Sequence, residues 1–336
     1  MITVTILLRR ECPACDQAVA DLEALQPQVP HRLVEIDVDK DPVLRAAYLN
    51  QAVPVVQVGP YSLRPPFTRQ DLQVALSAAA ARGQQLQETG DSGYRERMLR
   101  GQIITRADRF SYWLSQHYMV LFNLAIFLYV GLPFLAPLFM RAGMDGAANV
   151  VYIMYKPLCH QLGYRSFFLF GEQAYYPRAL AGIPGVQTFQ QATGLSEGGS
   201  NEETLAARNF SGDAHVGYKI ALCERDVALW GGILLFGLVF AGTGKRLPSI
   251  PWYIWVIFGL VPIGLDGGSQ FLGALPFIPD SMVRESTPLL RVITGALFGV
   301  LTAWYLYPLV EENMRDLREV MARKFASAPA QPKEKV

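Results

Sequence analysis

Net charge is almost absent from this chain, in which 30 Lys and Arg residues offset 29 Asp and Glu residues and leave a balance of +1. Bulk electrostatics therefore gives no reason to expect a nucleic acid or an acidic substrate as a partner. A signal peptide is not recognisable either, because the apolar run Met1–Leu8 is too short for one and a Cys-x-x-Cys motif follows it directly. We expect the N-terminal part to be cytosolic.

Metal-binding residues are scarce, since the chain has only 4 Cys and 4 His. A structural zinc site needs about four ligands. The N-terminal quarter offers Cys12, Cys15 and His31 alone, which argues against a zinc site within one subunit. Two alternatives to a redox role stay open there: a cluster that bridges a dimer, and a domain that only docks to other proteins.

Apolar residues, by contrast, are plentiful, at 51% of the chain with a mean hydropathy of +0.19. A spanning helix needs roughly 20 apolar residues. Four segments approach this length: Tyr112–Met140, Val227–Ala241 (with its flanks, Ala221–Thr243), Trp252–Leu272 and Leu289–Leu309. A further run, Ala147–Leu158, is too short to span and is predicted to be interfacial or re-entrant.

Basic residues predict the orientation of these spans. Clusters precede the first span, separate the second from the third and follow the fourth: Arg95, Arg97, Arg100, Arg106 and Arg109; Lys245 and Arg246; Arg315, Arg318, Arg323 and Lys324. If the N-terminus is cytoplasmic, all three clusters are cytoplasmic. We therefore expect both termini inside and the long loop 141–220 outside.

The domain boundaries follow from composition. Residues 1–83 are predicted to form an α/β domain, 84–111 a linker with a basic amphipathic lead-in on the membrane surface, 112–311 the membrane domain and 312–336 a basic cytoplasmic tail. The linker is placed at Ala81–Asp91 and the lead-in at Tyr94–Arg109. Gly185–Asp213 is expected to be a loop with little regular structure, and Ser327–Val336 to be disordered.

Strand and helix patterns alternate in the first domain. We predict strands at Ile2–Leu8, Arg32–Val38 and Val53–Val58, and helices at Ala14–Leu25, Pro42–Leu49 and Thr68–Ala81. Cys12 then lies where a helix begins, and unpaired N–H groups and the helix dipole stabilise a thiolate there. Arg9 and Arg10 would add positive charge. Cys12 is predicted to attack a disulfide and Cys15 to resolve the mixed disulfide.

This arrangement of strand, C-P-A-C and helix, followed by E-I-D-V-D-K-D-P and A-V-P-V-V, resembles the glutaredoxin-like branch of the thioredoxin fold. The resemblance covers the first quarter of the chain. It implies that Cys12 is the nucleophile, Cys15 the resolving thiol and Pro54 a cis proline beside them. The Gly-Gly and Asp that glutathione-binding members usually carry are replaced by Gly59–Pro66, so glutathione is not implied.

Polar residues of the membrane half gather near the outer ends of its spans, where ionisable groups tend to pair or to have a function. In the predicted topology they form one layer: Cys159, His160, Gln161, Arg165, Cys223, Arg225, Asp266, Gln270, Arg284, Glu285 and Arg291. Asp266 is expected to pair with Arg291 or Arg225. Alternatively, the set is a structural ion-pair network. Cys159, His160 and Cys223 are weak candidates for a metal site, and the two cysteines are candidates for a disulfide.

The strings C-H-Q, R-S-F, C-x-R, D-G-x-x-Q, R-E-S and L-R-x-x-T-G occur in this order and resemble a bacterial multispan membrane family, domain of unknown function 2085. The resemblance covers 150–309 and implies a shared membrane fold, a shared site at the residues just named and a location in the bacterial inner membrane. It implies no activity. Many relatives have a second Cys where Asp226 stands here.

Three functional hypotheses follow. The first is a membrane-anchored thiol–disulfide oxidoreductase whose cofactor is the Cys12–Cys15 disulfide and whose partner is a protein disulfide, with a quinone as a speculative acceptor. Direct exchange with Cys159–Cys223 is disfavoured because about 30 Å of hydrocarbon would separate the pairs. The second is a binding or transport protein with an outer polar or metal site and a redox-sensing head. The third is a non-catalytic anchor that docks other membrane subunits.

Overall fold

The computed structural model describes residues 2–88, 103–197, 200–273 and 284–328. It divides into two compact units. Unit 1 is Met1–His117 with Glu312–Val336, and unit 2 is Tyr118–Glu311. Most of the predicted lead-in Tyr94–Arg109 and nearly all of the predicted tail Ser327–Val336 lie outside the described residues.

Unit 1 contains a four-stranded sheet of order β2-β1-β3-β4, in which β1 and β2 are parallel and the other pairs are antiparallel. Its elements are β1 Ile2–Leu8, α1 Pro13–Leu25, β2 His31–Asp37, α2 Pro42–Ala47, β3 Val55–Val58, β4 Tyr61–Leu63 and α3 Arg69–Glu88. All six predicted elements are present. The short edge strand β4 is additional, and the Gly59–Pro60 pair before it hides its strand pattern.

The two faces of this sheet bury different partners, because alternate residues of a strand point to opposite sides. Val4 and Ile6 of β1 pack with Leu22 of α1 and Leu72 of α3. The other face has a second apolar cluster, in which β1, β2 and β3 contact α2 and two further helix ends: Leu7, Ile36, Val38, Leu44, Tyr48, Val55 and Ala322, with Tyr112 at its edge. Both faces of the sheet are thus covered within unit 1.

The second face is covered in part by a helical segment of the predicted basic tail 312–336. The last helix continues to Ser327, and its residues after Glu312 belong to unit 1. Tyr48 Oη donates a hydrogen bond to Glu319 Oε1 at 3.0 Å, and Lys324 Nζ donates to Asp108 Oδ2 at 2.8 Å. The segment 312–327 is therefore a packed helix, because its Ala322 face has apolar surface to cover.

The prediction of a linker at Ala81–Asp91 is partly wrong. Helix α3 runs to Glu88, so the first eight residues of Ala81–Asp91 are helical. Ala, Arg, Gln, Leu and Glu dominate this stretch, and all are good helix formers. Their helix propensity outweighs the unfavourable contribution of Gly83 within the helix.

Unit 2 holds most of the membrane helices and a small sheet of order β5-β7-β6 with antiparallel pairs. The remaining helices and strands, two of which begin or end in unit 1, are α4 Arg106–Gly131, α5 Leu135–Arg141, α6 Asp145–Tyr155, β5 Ser166–Leu169, α7 Phe189–Thr193, α8 Asn201–Asn209, β6 Gly212–Asp213, β7 Gly217–Cys223, α9 Glu224–Gly242, α10 Trp252–Ile254, a π-helical stretch Trp255–Leu260, α11 Val261–Gly273 and α12 Pro288–Ser327. Short 3-10 turns occupy Leu132–Phe134, Gly163–Arg165 and Ala179–Ala181.

Four helices of the described chain are long and apolar enough to cross a membrane. They are Arg106–Arg141, Glu224–Gly242, Trp252–Gln270 and Pro288–Ser327. Each of the four predicted spans overlaps one of them, which confirms the prediction of four membrane helices.

The prediction of an unstructured Gly185–Asp213 is wrong. Thr188 and Ser200 begin α7 and α8, and each makes a capping box with the residue three positions later, Gln191 and Glu203. Capping boxes satisfy N–H groups that a helix start leaves unpaired. The sequence carries this signal, but the Gly, Ser and Asn content around it obscures the two short helices.

Glycines allow α9 and α12 to approach closely. A Cβ atom on Gly299 would lie 2.0 Å from the backbone oxygen of Leu229, and one on Gly295 would lie 2.7 Å from that of Arg225. Small residues at such contacts are typical of membrane helix pairs, where packing rather than the hydrophobic effect drives association. This contact brings the N-terminal ends of the two helices together, and with them their charged residues.

Candidate functional site

The dithiol lies at the N-terminus of α1. Cys12 directly precedes the first helical residue, Pro13, and its Sγ accepts a hydrogen bond from the N–H of Cys15 at 3.2 Å. The two sulfurs form a disulfide. Cys15 is 1% exposed, whereas Cys12 is partly exposed. The more exposed residue of the pair is therefore the one that the sequence assigns as the nucleophile.

The arginines before the dithiol do not act as free charges. Arg9 Nε lies 3.8 Å from Asp39 Oδ1, and Arg10 Nε lies 3.4 Å from Asp37 Oδ2. An acidic partner this close cancels much of the potential that each arginine would exert on Cys12. We therefore expect the N-terminus of α1 to contribute more than these arginines to the stabilisation of a Cys12 thiolate.

Strand register places Pro54 near the dithiol. In the antiparallel pair of β1 and β3, Leu7 lies opposite Val55. The residue before Val55 therefore lies toward the end of β1 from which the chain continues to Cys12. Pro54 is buried, and the Val53–Pro54 peptide bond is cis.

In the membrane half, Asp266 is the centre of one polar cluster. It is 3% exposed and contacts the guanidinium of Arg225. Ser286 Oγ donates to its Oδ2 at 3.0 Å, and Arg284 Nη2 lies 3.7 Å from its Oδ1. Gln270 Nε2 donates to its backbone oxygen at 3.0 Å. Of the two partners that the sequence suggested for Asp266, the structure brings Arg225 to it and not Arg291.

Arg291 belongs to a second cluster, centred on Glu285. Arg165 binds Glu285 in a two-pronged arrangement, Nε to Oε1 and Nη2 to Oε2, both at 3.0 Å, and Arg178 Nη1 donates to Oε2 at 3.1 Å. Arg291 contacts Glu285 as well, and its Nη1 lies 3.3 Å from Glu224 Oε2. The arginines decide the charge of Glu285: burial would raise its pKa, but the hydrogen bond and charge of Arg165, with the charges of Arg291 and Arg178, lower it.

The two cysteines of this half are neighbours. Neither is disulfide-bonded, and the N–H of Cys223 donates to Cys159 Sγ at 3.3 Å. Their sulfurs and a carboxylate oxygen of Asp226 all lie within 4.8 Å of one another. The pKa of Cys159 is lowered because Cys223 hydrogen-bonds to it, and the pKa of Cys223 is raised for the same reason and by burial. The two thiols are therefore neighbours that share a hydrogen bond.

His160 and Gln161, which follow Cys159 in the sequence, do not join the cysteine group. His160 is exposed and is not part of the group formed by Cys159, Cys223 and Asp226. Gln161 is buried and uses its Nε2 to bind the backbone oxygens of Tyr152 and Ala221, at 3.0 and 3.1 Å, which is a structural role. The proposed metal set of Cys159, His160 and Cys223 therefore does not assemble, and a metal at this place stays a prediction.

Three members of these clusters were not among the sequence candidates. Glu224 and Ser286 are adjacent in sequence to the candidates Cys223 and Glu285, so the C-x-R and R-E-S strings contain the signal for both. Arg178 lies in no motif, and only the fold brings it to Glu285, 107 positions away.

Two family models match this chain. Residues 3–80 match a model described as a glutaredoxin-like domain (DUF836), and residues 206–305 match one described as a predicted membrane protein (DUF2085). The chain carries a glutaredoxin-like domain fused to a DUF2085 membrane domain. The dithiol and Pro54 lie in the first domain. The second contains Cys223, Asp266 and the N-terminal end of α12.

An uncharacterized protein of Methanocaldococcus jannaschii is 24% identical over 208 residues, which is 59% of this chain and 96% of that protein. No solved structure matches the chain. The glutaredoxin-like and DUF2085 assignments therefore rest on the two family models, together with the sheet topology and the four membrane helices.

Proposed function

We propose that this membrane protein is a thiol–disulfide oxidoreductase that acts through Cys12 and Cys15 of its glutaredoxin-like domain. The observation that carries the proposal is the asymmetry of the pair: a partly exposed Cys12 at the start of α1 is bonded to a Cys15 that is 1% exposed. Thiolates react in proportion to their exposure and stabilisation, so Cys12 meets the substrate and Cys15 stays inside.

The reaction conserves atoms and electrons as follows. In the reduced protein, the Cys12 thiolate attacks a substrate disulfide, forms a mixed disulfide and releases one substrate thiolate. Cys15 loses its proton and attacks Cys12 Sγ, which forms the Cys12–Cys15 disulfide and releases the second substrate thiolate. Two electrons pass to the substrate, and an external dithiol must return them to the protein. The substrate class is a protein disulfide.

The test uses the full-length protein in detergent, reduced and freed of reductant. Cys12→Ser is expected to lose all reduction of a model protein disulfide, whereas Cys15→Ser should accumulate a mixed disulfide that is visible on a non-reducing gel. The double variant Cys159→Ala with Cys223→Ala is the matched control and should keep full activity. Activity in Cys12→Ser equal to that of the wild type would exclude the proposal.

We also propose that the glutaredoxin-like domain and the C-terminal segment are cytoplasmic and that the protein lies in a bacterial inner membrane. The support is the distribution of Lys and Arg around the four helices. In a cysteine-free background, His160→Cys should react with an impermeant thiol reagent in intact cells. Leu49→Cys, at a residue that is 65% exposed, should react only after permeabilisation. The reverse labelling pattern would invert the topology.

A further inference from the structure

A cavity of about 470 Å³ lies in the segment between the first and second membrane helices. This is a size typical of sites for small molecules. The residues that line it come from α5, α6, α8 and β7 and from the segments between them: Met140, Asp145, Gly146, Asn149, Tyr152, Lys156, Gln161, Arg208, Asn209, Ser211 and Lys219. None of them is used by the dithiol or by the two arginine clusters.

Lys219 is the unusual member of this lining. It is 1% exposed, and its Nζ donates to the backbone oxygens of Gln161 and Arg208, each at 2.8 Å. An ammonium group has three donors. Within the described residues no acceptor is found for the third donor. The Nζ of Lys219 also lies over the ring of Tyr152, 5.8 Å from its centroid.

The other basic residues of the cavity have no acidic partner either. Lys156 Nζ binds the amide oxygen of Asn209 at 3.1 Å, and Arg208 Nη2 binds the backbone oxygen of Lys156 at 2.7 Å. The Nε of Arg208 is buried without a hydrogen-bond partner. Throughout the described part of the chain, no ion pair involves these two residues or Lys219. The lining thus holds three cationic groups and a single carboxylate, that of Asp145.

Lys156 and Arg208 are half-buried, whereas Lys219 is buried, and a buried cation without a counter-charge is costly to a folded protein. Here the cost shows in the pKa of Lys219, which falls to about 7, chiefly because of burial and also because of the charges of Lys156 and Arg208. A bound anion would offset this cost, and an oxyanion would satisfy the free donors of Lys219 and Arg208.

We propose that this cavity, defined by Lys156, Arg208 and Lys219, binds a small oxyanion that carries a phosphate or a carboxylate group. The site goes beyond the proposed redox function and does not depend on it. The same chemistry is found in a free soluble anion and in the headgroup of an anionic lipid, so the experiment has one arm for each source.

The probe of the first arm is radiolabelled inorganic phosphate, measured by equilibrium dialysis with the full-length protein in neutral detergent, with chloride adjusted to constant ionic strength. In the second arm, phosphatidylglycerol is added to the micelles and its retention after purification is measured. Phosphate binding identifies a site for free anions, and retention of the lipid alone identifies a headgroup site. Absence of both would overturn the proposal.

The variants include two that should weaken phosphate binding and one that should strengthen it, so a loss of folding cannot explain all three results. Lys219→Met should lower the affinity at least tenfold, on the order expected for a lost hydrogen bond to a charged group. It also leaves the backbone oxygens of Gln161 and Arg208 without their donor, so its binding is measured at a temperature below its Tm, where the variant is folded. Lys156→Met should lower the affinity up to about fivefold. Asp145→Asn should raise it, since the only carboxylate of the lining is neutralised.

The matched control is Arg246→Met, which removes one exposed positive charge that is remote in sequence from the cavity and not part of its lining. It should leave the affinity unchanged. Equal weakening by Arg246→Met and Lys156→Met would show that phosphate responds to net charge alone, and unchanged binding in Lys219→Met would show that Lys219 takes no part in binding. Either result would contradict a site in this cavity.

Discussion

Replacing Arg291 by Met is expected to destabilise the membrane half strongly. The side chain of Arg291 is 3% exposed and lies between two carboxylates, those of Glu224 and Glu285, whose side chains are 1% and 3% exposed. Removing one partner of a buried ion pair leaves an uncompensated charge, at a cost of about 3–5 kcal/mol. Glu285 keeps Arg165 and Arg178, so most of the cost falls on Glu224.

The measurement is thermal unfolding of the detergent-purified protein, followed by tryptophan fluorescence. A loss of this size corresponds to a decrease in Tm of about 6–20 °C for a unit of this length. Arg284→Met is the matched control, because Arg284 is 51% exposed and 3.7 Å from its carboxylate. Because Arg284 is exposed and its carboxylate, Asp266, keeps Arg225 and Ser286 as partners, its loss is expected to cost only about 0–1 kcal/mol.

A second variant tests the cause. Adding Glu224→Gln to Arg291→Met removes the stranded charge, so the double variant should regain part of the lost stability, with a coupling energy of about 0.5–3 kcal/mol. The reasoning is refuted if Arg291→Met lowers Tm no more than Arg284→Met does. It is equally refuted if the effects of Arg291→Met and Glu224→Gln simply add.

Three further predictions concern other parts of the chain. Gly299→Ala should lower Tm by several degrees because its Cβ meets backbone on α9, whereas Gly231→Ala, with nothing within 4 Å of its Cβ, should be nearly neutral. Burial raises the pKa of Tyr48 to about 12. Its stabilising contribution is thus complete below pH 10 and lost as pH rises toward 12, so the loss of unfolding free energy in Tyr48→Phe, about 1 kcal/mol at neutral pH, should shrink over that interval. Oxidation with diamide should join Cys159 to Cys223 and remove both free thiols in a mass-spectrometric count, and persistence of both thiols would contradict their proximity.

Local patterns were sufficient for much of the glutaredoxin-like domain. Alternating apolar residues predicted β1 to β3, and the Cys12-Pro13 start of α1 predicted where the dithiol lies, because strand periodicity and helix starts are properties of neighbouring residues. The same holds for the four membrane helices, each of which contains a long and mostly apolar stretch. Short or polar elements were less visible: β4, α7 and α8 were missed although two of them carry capping boxes.

The sequence by itself did not decide which charged residues pair with one another. It placed Asp266, Glu285 and Arg291 in one layer, but it did not determine that Arg291 pairs with Glu224, 67 positions away. The burial of Lys219 was likewise not determined by the sequence alone. Spacing along one helix fixes which residues share a face, whereas an ion pair or a buried amine depends on how separate helices and strands pack, and only the tertiary structure specifies that. Composition and periodicity therefore determined the two domains and the dithiol, and long-range packing decided the charge clusters and the cavity.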